Sequence, residues 1–209
     1  MSLTSGTDQI DSSSFSFSQA VGGWRGVCES AGPIALFLGV YIATGRMAPA
    51  LVAALGFAGV AALARLWARA DLKQVAVGFL GVAIGAAWAA KTGNAADFFA
   101  LGLVINIVYA SVLAVSVLVR QPVAGWVLAL TLGWGKGWRA DASRMRPCLL
   151  VTAGWAGLFA ARVAVQGPLY LSGAVEILGI ARLTMGLPLV AVAAWATWAY
   201  LRPRVRRDA

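Results

Sequence analysis

Acid–base chemistry in this chain would have to come from Glu29, Asp97 or Glu176, with tyrosine or arginine such as Arg182 in support. The sequence places no two of these carboxylates together, so paired-acid catalysis has no support. There is no histidine, and the only cysteines are Cys28 and Cys148. That removes the commonest zinc ligand sets and every histidine-based triad or shuttle. No metal and no cofactor are expected. Both cysteines fall at segment ends and read as reduced, small and apolar. A second group offers hydrogen bonding or a polar path instead: Asn106, Tyr109, Ser116 and Arg120 on one stretch, and Thr152, Trp155, Arg162 and Gln166 on another. At about 100° per residue each set falls on one helical stripe.

Such side chains have to be held by apolar helices. Of the 209 residues, 60% are hydrophobic and only 12% charged, and the mean hydropathy is +0.79. Soluble domains average about 45–50% apolar and about 25% charged. The chain therefore reads as an all-α, polytopic membrane protein with one membrane domain over residues 21–201. A net charge of +9 would suggest nucleic acid in a soluble protein. Here the basic residues sit mostly at the ends of apolar runs, as the positive-inside rule requires, and no nucleic-acid partner is expected.

Residues 1–20 hold seven serines, Asp8 and Asp11. They lack the basic and apolar regions of a signal peptide and read as a disordered polar tail. The first crossing is expected from Val27 to Thr44, with Glu29 at its start and Pro33 in the first turn, where a missing N–H costs little. The second, Met47 to Leu66, carries Ala50, Ala54, Ala58 and Ala62. The third, Leu72 to Ala90, carries Gly81 and Gly85. Small residues at that spacing let helices approach closely in lipid.

The fourth crossing runs from Asp97 to Arg120, with no charge between Phe98 and Val119. Asn106 lies roughly 13 Å along it, near the midplane, where an amide must find a partner. Residues 122–134 are too few for an ordinary crossing and read as interfacial or re-entrant. The fifth crossing is expected from Cys148 to Gln166, with Arg162 near enough to its end to snorkel. The stretch 169–201 is long for one helix and short for two. Glu176, Arg182, Gly186 and Pro188 divide it into an outer amphipathic segment over 169–182 and a sixth crossing to Leu201. A basic tail, 202–209, follows.

Six crossings, arranged as three helical hairpins, put thirteen of the seventeen Lys and Arg on the side of the termini. Arg46 and Lys91 lie opposite, and Arg162 and Arg182 lie near the membrane. That asymmetry orients both termini into the cytoplasm, at the plasma membrane. The tail should attract anionic lipid there, at about 1 kcal/mol per basic residue. Thr44-Gly45, Thr92-Gly93 and Gln166-Gly167 each end an outgoing helix and suggest a faint threefold repeat.

Four stretches resemble an actinobacterial integral-membrane family of unknown function. They are Gly22-Gly23-x-Arg25-Gly26-x-x-Glu29-Ser30-x-x-Pro33, Thr92-Gly93-x-Ala95-x-Asp97-Phe98-Phe99, Asn106-x-x-Tyr109 and Arg162-x-x-x-Gln166-x-Pro168-Leu169-Tyr170. More distantly, Asp97-Phe98-Phe99 through Arg120-Gln121-Pro122 resembles the bacterial intracellular septation protein A (YciB-type) family. Those are multi-pass inner-membrane proteins associated with envelope maintenance and division. Neither resemblance implies a catalytic residue.

Three functions stand on these residues. The first is a non-catalytic envelope component that binds a membrane-protein partner or a second copy of the chain. Asp97, Arg162, Glu176 and Arg182 would then pair at the outer side and fix helix register. The second is a small transporter, with its path between helices four and five. The third is a membrane enzyme acting on a lipid-like substrate. The small-residue faces, the absence of histidine and the septation-protein likeness favour the first.

Overall fold

Small residues set how closely the helices approach, and three phenylalanines set where they are held. A computed structural model describes residues 23–68, 72–132 and 136–205. Among them are eight α-helices and no strand: α1 Gly23–Thr44, α2 Met47–Trp67, α3 Leu72–Thr92, α4 Ala100–Leu118, α5 Val123–Leu132, α6 Ala142–Leu171, α7 Val175–Thr184 and α8 Leu187–Val205. Short 3₁₀ helices, Ala95–Phe99 and Lys136–Arg139, precede α4 and α6. The expected polar tail over 1–20, residues 133–134 of the short segment and 206–209 of the basic tail lie outside the described residues, as does the side chain of Glu29.

Four helical stretches are long and apolar enough to cross a membrane: Met47–Trp67, Ala95–Leu118, Ala142–Leu171 and Val175–Pro203. Ser30–Thr44 and Ala76–Thr92 are shorter apolar helical stretches. Only 17–22% of each long window is buried inside the protein. Large apolar side chains such as Val52, Leu63, Leu118 and Leu130 therefore point outward. A water-facing surface rarely carries apolar patches of that extent. This is the surface of a membrane protein.

The core lies at one end of the bundle. Phe37 of α1 is fully buried and stacks on Phe98 with centroids 4.3 Å apart, while Phe99 meets Phe37 and Phe98 edge-on at 5.6 and 5.3 Å. Ala50, Leu51 and Ala54 of α2, Ala86 and Ala89 of α3, and Val175 and Leu178 of α7 close around them. α7 packs between α1 and α6, and Gly179 is what lets Leu38 approach: a Cβ there would stand 2.8 Å from the Leu38 side chain.

Several bounds differ from expectation, each for a local reason. α1 begins at Gly23, so Pro33 lies in its interior and not in its first turn. α6 starts at Ala142, earlier than Cys148, because Asp141 caps it: its Oδ1 accepts from the Ser143 N–H at 2.8 Å and the Ser143 hydroxyl at 2.6 Å. Those two bonds, hydroxyl first, hold the Asp141 carboxyl below its ordinary range. α6 also runs through Pro168 to Leu171. An interior proline forfeits one backbone bond, a loss that membrane helices tolerate where neighbouring groups compensate. The segment expected over 169–182 is therefore split between the last turn of α6 and α7.

The repeat is clearer in the backbone than in the sequence, with one member replaced. Gly45, Gly93 and Gly173 all have positive φ, at 62°, 74° and 70°. Before each stands a hydroxyl that bonds back into its helix: Thr44 to Val40 O at 2.7 Å, Thr92 to Trp88 O at 3.1 Å, Ser172 to Leu169 O at 3.0 Å. Ser172-Gly173 thus takes the place expected for Gln166-Gly167, which lies inside α6. Gly173→Ala should cost about 1–2 kcal/mol, the penalty of an L residue in the left-handed region. Gly167→Ala should cost nothing, since no atom lies within 4 Å of its added Cβ. Unfolding of the two detergent-solubilised variants checks the contrast.

Candidate functional site

The polar stripes expected on the fourth and fifth crossings do come together, because α4 and α6 form the most extensive helix pair. They meet largely on side chains: the Tyr109 ring lies 5.1 Å from that of Phe159, and Phe159 lies 6.2 Å from Trp155. Asn106 is buried on this face. Ser116 turns back to Leu113 O at 2.8 Å. Arg120 follows the last turn of α4 with φ 53°. Its N–H donates to Val117 O at 3.1 Å and that of Gln121 to Ser116 O at 2.8 Å, the double bond pattern of a Schellman cap.

The α6 stripe serves three different neighbours. Thr152, buried, donates to Cys148 O at 2.8 Å and accepts from the Ala124 N–H at 3.2 Å, so it caps the first turn of α5. Trp155 Nε1 donates to Thr197 Oγ1 of α8 at 3.1 Å. Arg162 Nη2 donates to the carbonyls of Met185 and, at 2.8 Å, Gly186. Those carbonyls lie at the break between α7 and α8, where the helical ladder is interrupted. Gly186 O also accepts from the Val190 N–H at 3.2 Å, so Arg162 adds a charged donor at a break where backbone groups left bare would be costly. Gln166 is buried, with its Oε1, like Arg162 Nε, lacking a partner among the described residues.

Of the four candidate charged groups, the three with described side chains, Asp97, Glu176 and Arg182, do not converge. Asp97 is buried in the 3₁₀ turn and accepts from the Tyr170 hydroxyl at 2.6 Å. Glu176 is exposed in the first turn of α7. Arg182 Nη1 donates to Phe99 O at 3.1 Å, with its guanidinium 5.8 Å from the Phe99 ring centroid. The same 3₁₀ turn thus carries Asp97 and offers its last carbonyl to Arg182. Among the described residues no group of three His, Cys, Asp or Glu side chains is placed to hold a metal ion. Tyr170→Phe leaves a buried carboxylate without its donor and should cost about 1.5–3 kcal/mol, read by unfolding in detergent.

Two features escaped the sequence. Gly102 shares the Asn106 stripe, yet its role lies elsewhere: a Cβ there would fall 1.6 Å from Arg182 Nη2, so the glycine makes the space the guanidinium occupies. Its partner lies 80 positions away in the chain, beyond any periodicity. Beside this pair a cavity of about 470 Å³ opens between α1, α2, α3 and α4, with Arg182 in its wall.

A model of a family of proteins of unknown function, DUF3159, matches residues 21–208. The chain belongs to the DUF3159 family. No curated protein and no solved structure matches it. The DUF3159 match takes in every helix described above, so the caps, the α7–α8 break and the cavity all lie within the family's extent.

Proposed function

We propose that this chain is a non-catalytic, multi-pass component of the cell envelope, set in the plasma membrane by six crossings in three hairpins with both termini cytoplasmic. α7 and α8 together make the sixth crossing, and α5 rests at the cytoplasmic interface. The observation that carries this reading is the use made of the intramembrane polar groups. Arg162 caps a helix break, Thr152 caps α5, Trp155 ties α6 to α8, and Asp97 is engaged by Tyr170. These are architectural tasks, and no two described carboxylates converge for acid–base work.

The other elements agree with that role. Tyr109 and Phe159 meet where a path between α4 and α6 would run. Arg139 lies 4.9 Å over the Trp126 ring and Arg202 4.8 Å over that of Trp198, a cation–aromatic arrangement suited to the cytoplasmic interface and its anionic lipid. A membrane protein or a second copy of the chain is the proposed partner, docking on the outward apolar helix faces, and the likeness of the fourth crossing to septation proteins points the same way. In liposomes the purified protein should pass no ions or small solutes above the protein-free background, and Asn106→Leu should alter abundance without altering flux. Solute movement that Asn106→Leu abolishes in a folded protein would show a transporter instead.

A further inference from the structure

The small-residue faces of α2 and α3 are suited to close contact, yet they make it over only part of their length. Ala50 and Ala54 are buried, and a Cβ on Gly85 would stand 2.7 Å from Phe98 O. One to two turns further from the glycine turns, Ala58, Ala62, Gly78 and Gly81 line the 470 Å³ cavity, and nothing lies within 4 Å of a Cβ built on either glycine. Gly78 lies seven residues from Gly85, so the opening extends about 10 Å along the helices. Phe98 and Phe99 stand at one end and Ser30 and Arg65 toward the other. The volume falls within the usual range of ligand pockets, about 300–1,000 Å³.

Arg182 is what makes this cavity more than a packing gap. A guanidinium at membrane depth needs an anion or a dipole, and such residues mark function by default. Phe99 O takes one of its N–H groups, while no carboxylate pairs with it among the described residues. Gly102 leaves the room that the guanidinium fills. Arg182 at one end, and Arg65 and Ser30 toward the other, flank a stretch lined by Ala58, Ala62, Gly78, Gly81 and Val82, which complements a ligand that is anionic at its head and hydrocarbon along the rest. We infer that the cavity binds an anionic amphiphile, with its carboxylate or phosphate oxygens on Arg182 and its chain along Ala58, Ala62, Gly78, Gly81 and Val82. This goes beyond the architectural role proposed above and does not require it.

The test uses the full chain purified in a neutral detergent, with oleate, oleyl alcohol and inorganic phosphate as probes, and nanodiscs of phosphatidic acid or phosphatidylcholine. Oleate should bind at least about tenfold more tightly than oleyl alcohol, the effect of one charge-assisted contact, and phosphatidic acid more tightly than net-neutral phosphatidylcholine. Whether oleate or phosphatidic acid binds better separates a free fatty acid from a membrane phospholipid as the source. Arg182→Gln should lose that preference, and Arg182→Lys should keep most of it. Gly81→Leu, which fills the cavity away from Arg182, should weaken binding at least about tenfold without lowering the unfolding temperature. Equal binding of oleate and oleyl alcohol, binding of inorganic phosphate as tight as that of oleate, or undiminished binding by folded Arg182→Gln would overturn the inference. Should Arg182→Gln fail to fold, Gly81→Leu decides, and wild-type binding there overturns it.

Discussion

Replacing Arg162 with methionine is expected to destabilise the detergent-solubilised protein by about 3 kcal/mol, from two hydrogen bonds by a charged donor at about 1.5 kcal/mol each. The reason lies in the break between α7 and α8. Pro188 has no N–H and so leaves Thr184 O without its i+4 donor, which breaks the ladder there; Arg162 Nη2 bonds the next two carbonyls, Met185 O and Gly186 O, the second of which also accepts from the Val190 N–H at 3.2 Å. Methionine matches the length of the arginine stem and supplies no donor. Arg162→Lys places a single ammonium near the same site and should recover about half of the loss. Equilibrium unfolding by a graded denaturing detergent reads all three proteins. If Arg162 merely snorkels to the interface, methionine will cost little and lysine nothing.

Phe37→Ala should be the most damaging single change in the core, at about 3–5 kcal/mol. Phe37 is fully buried and touches both members of the Phe98-Phe99 pair, which sit on the 3₁₀ turn that starts the fourth crossing. Removing the ring therefore unseats α1 from α4 as well as leaving a void. The same measurement on Tyr109→Ala gives the comparison. Tyr109 is 51% exposed, so its truncation should cost well under half as much. Equal losses at the two sites would mean that the phenylalanine cluster does not organise the core.

Helical class and membrane character were legible because long apolar runs carry both. The hydroxyl–glycine turns at Gly45 and Gly93 were legible for the same kind of reason, since a glycine after a β-branched hydroxyl residue is a local signal. The end of α6 was not. Pro168 and Gly167 are ordinary stop signals in water, but inside a packed membrane helix the lost bond is outweighed by what Gln166 and Tyr170 bury and bind. The start of α6 was available in principle, because Asp141-x-Ser143 is a capping pattern. Asp97 and Arg182 were singled out by charge alone, and their partners, Tyr170 and Phe99 O, came only with the fold. A contact between a glycine and an arginine 80 residues apart leaves no trace in spacing or period.

The proposed six-crossing topology depends on which residues face which side of the membrane, and labelling of single cysteines reads that directly. With Cys28 and Cys148 changed to alanine, Thr44→Cys, Thr92→Cys and Ser172→Cys should all react with an impermeant maleimide added to intact cells. Val119→Cys and Arg139→Cys should react only after permeabilisation. A Ser172→Cys protein that labels only from inside, while Thr44→Cys and Thr92→Cys label from outside, would show that α6 does not cross, and the six-crossing arrangement would be wrong.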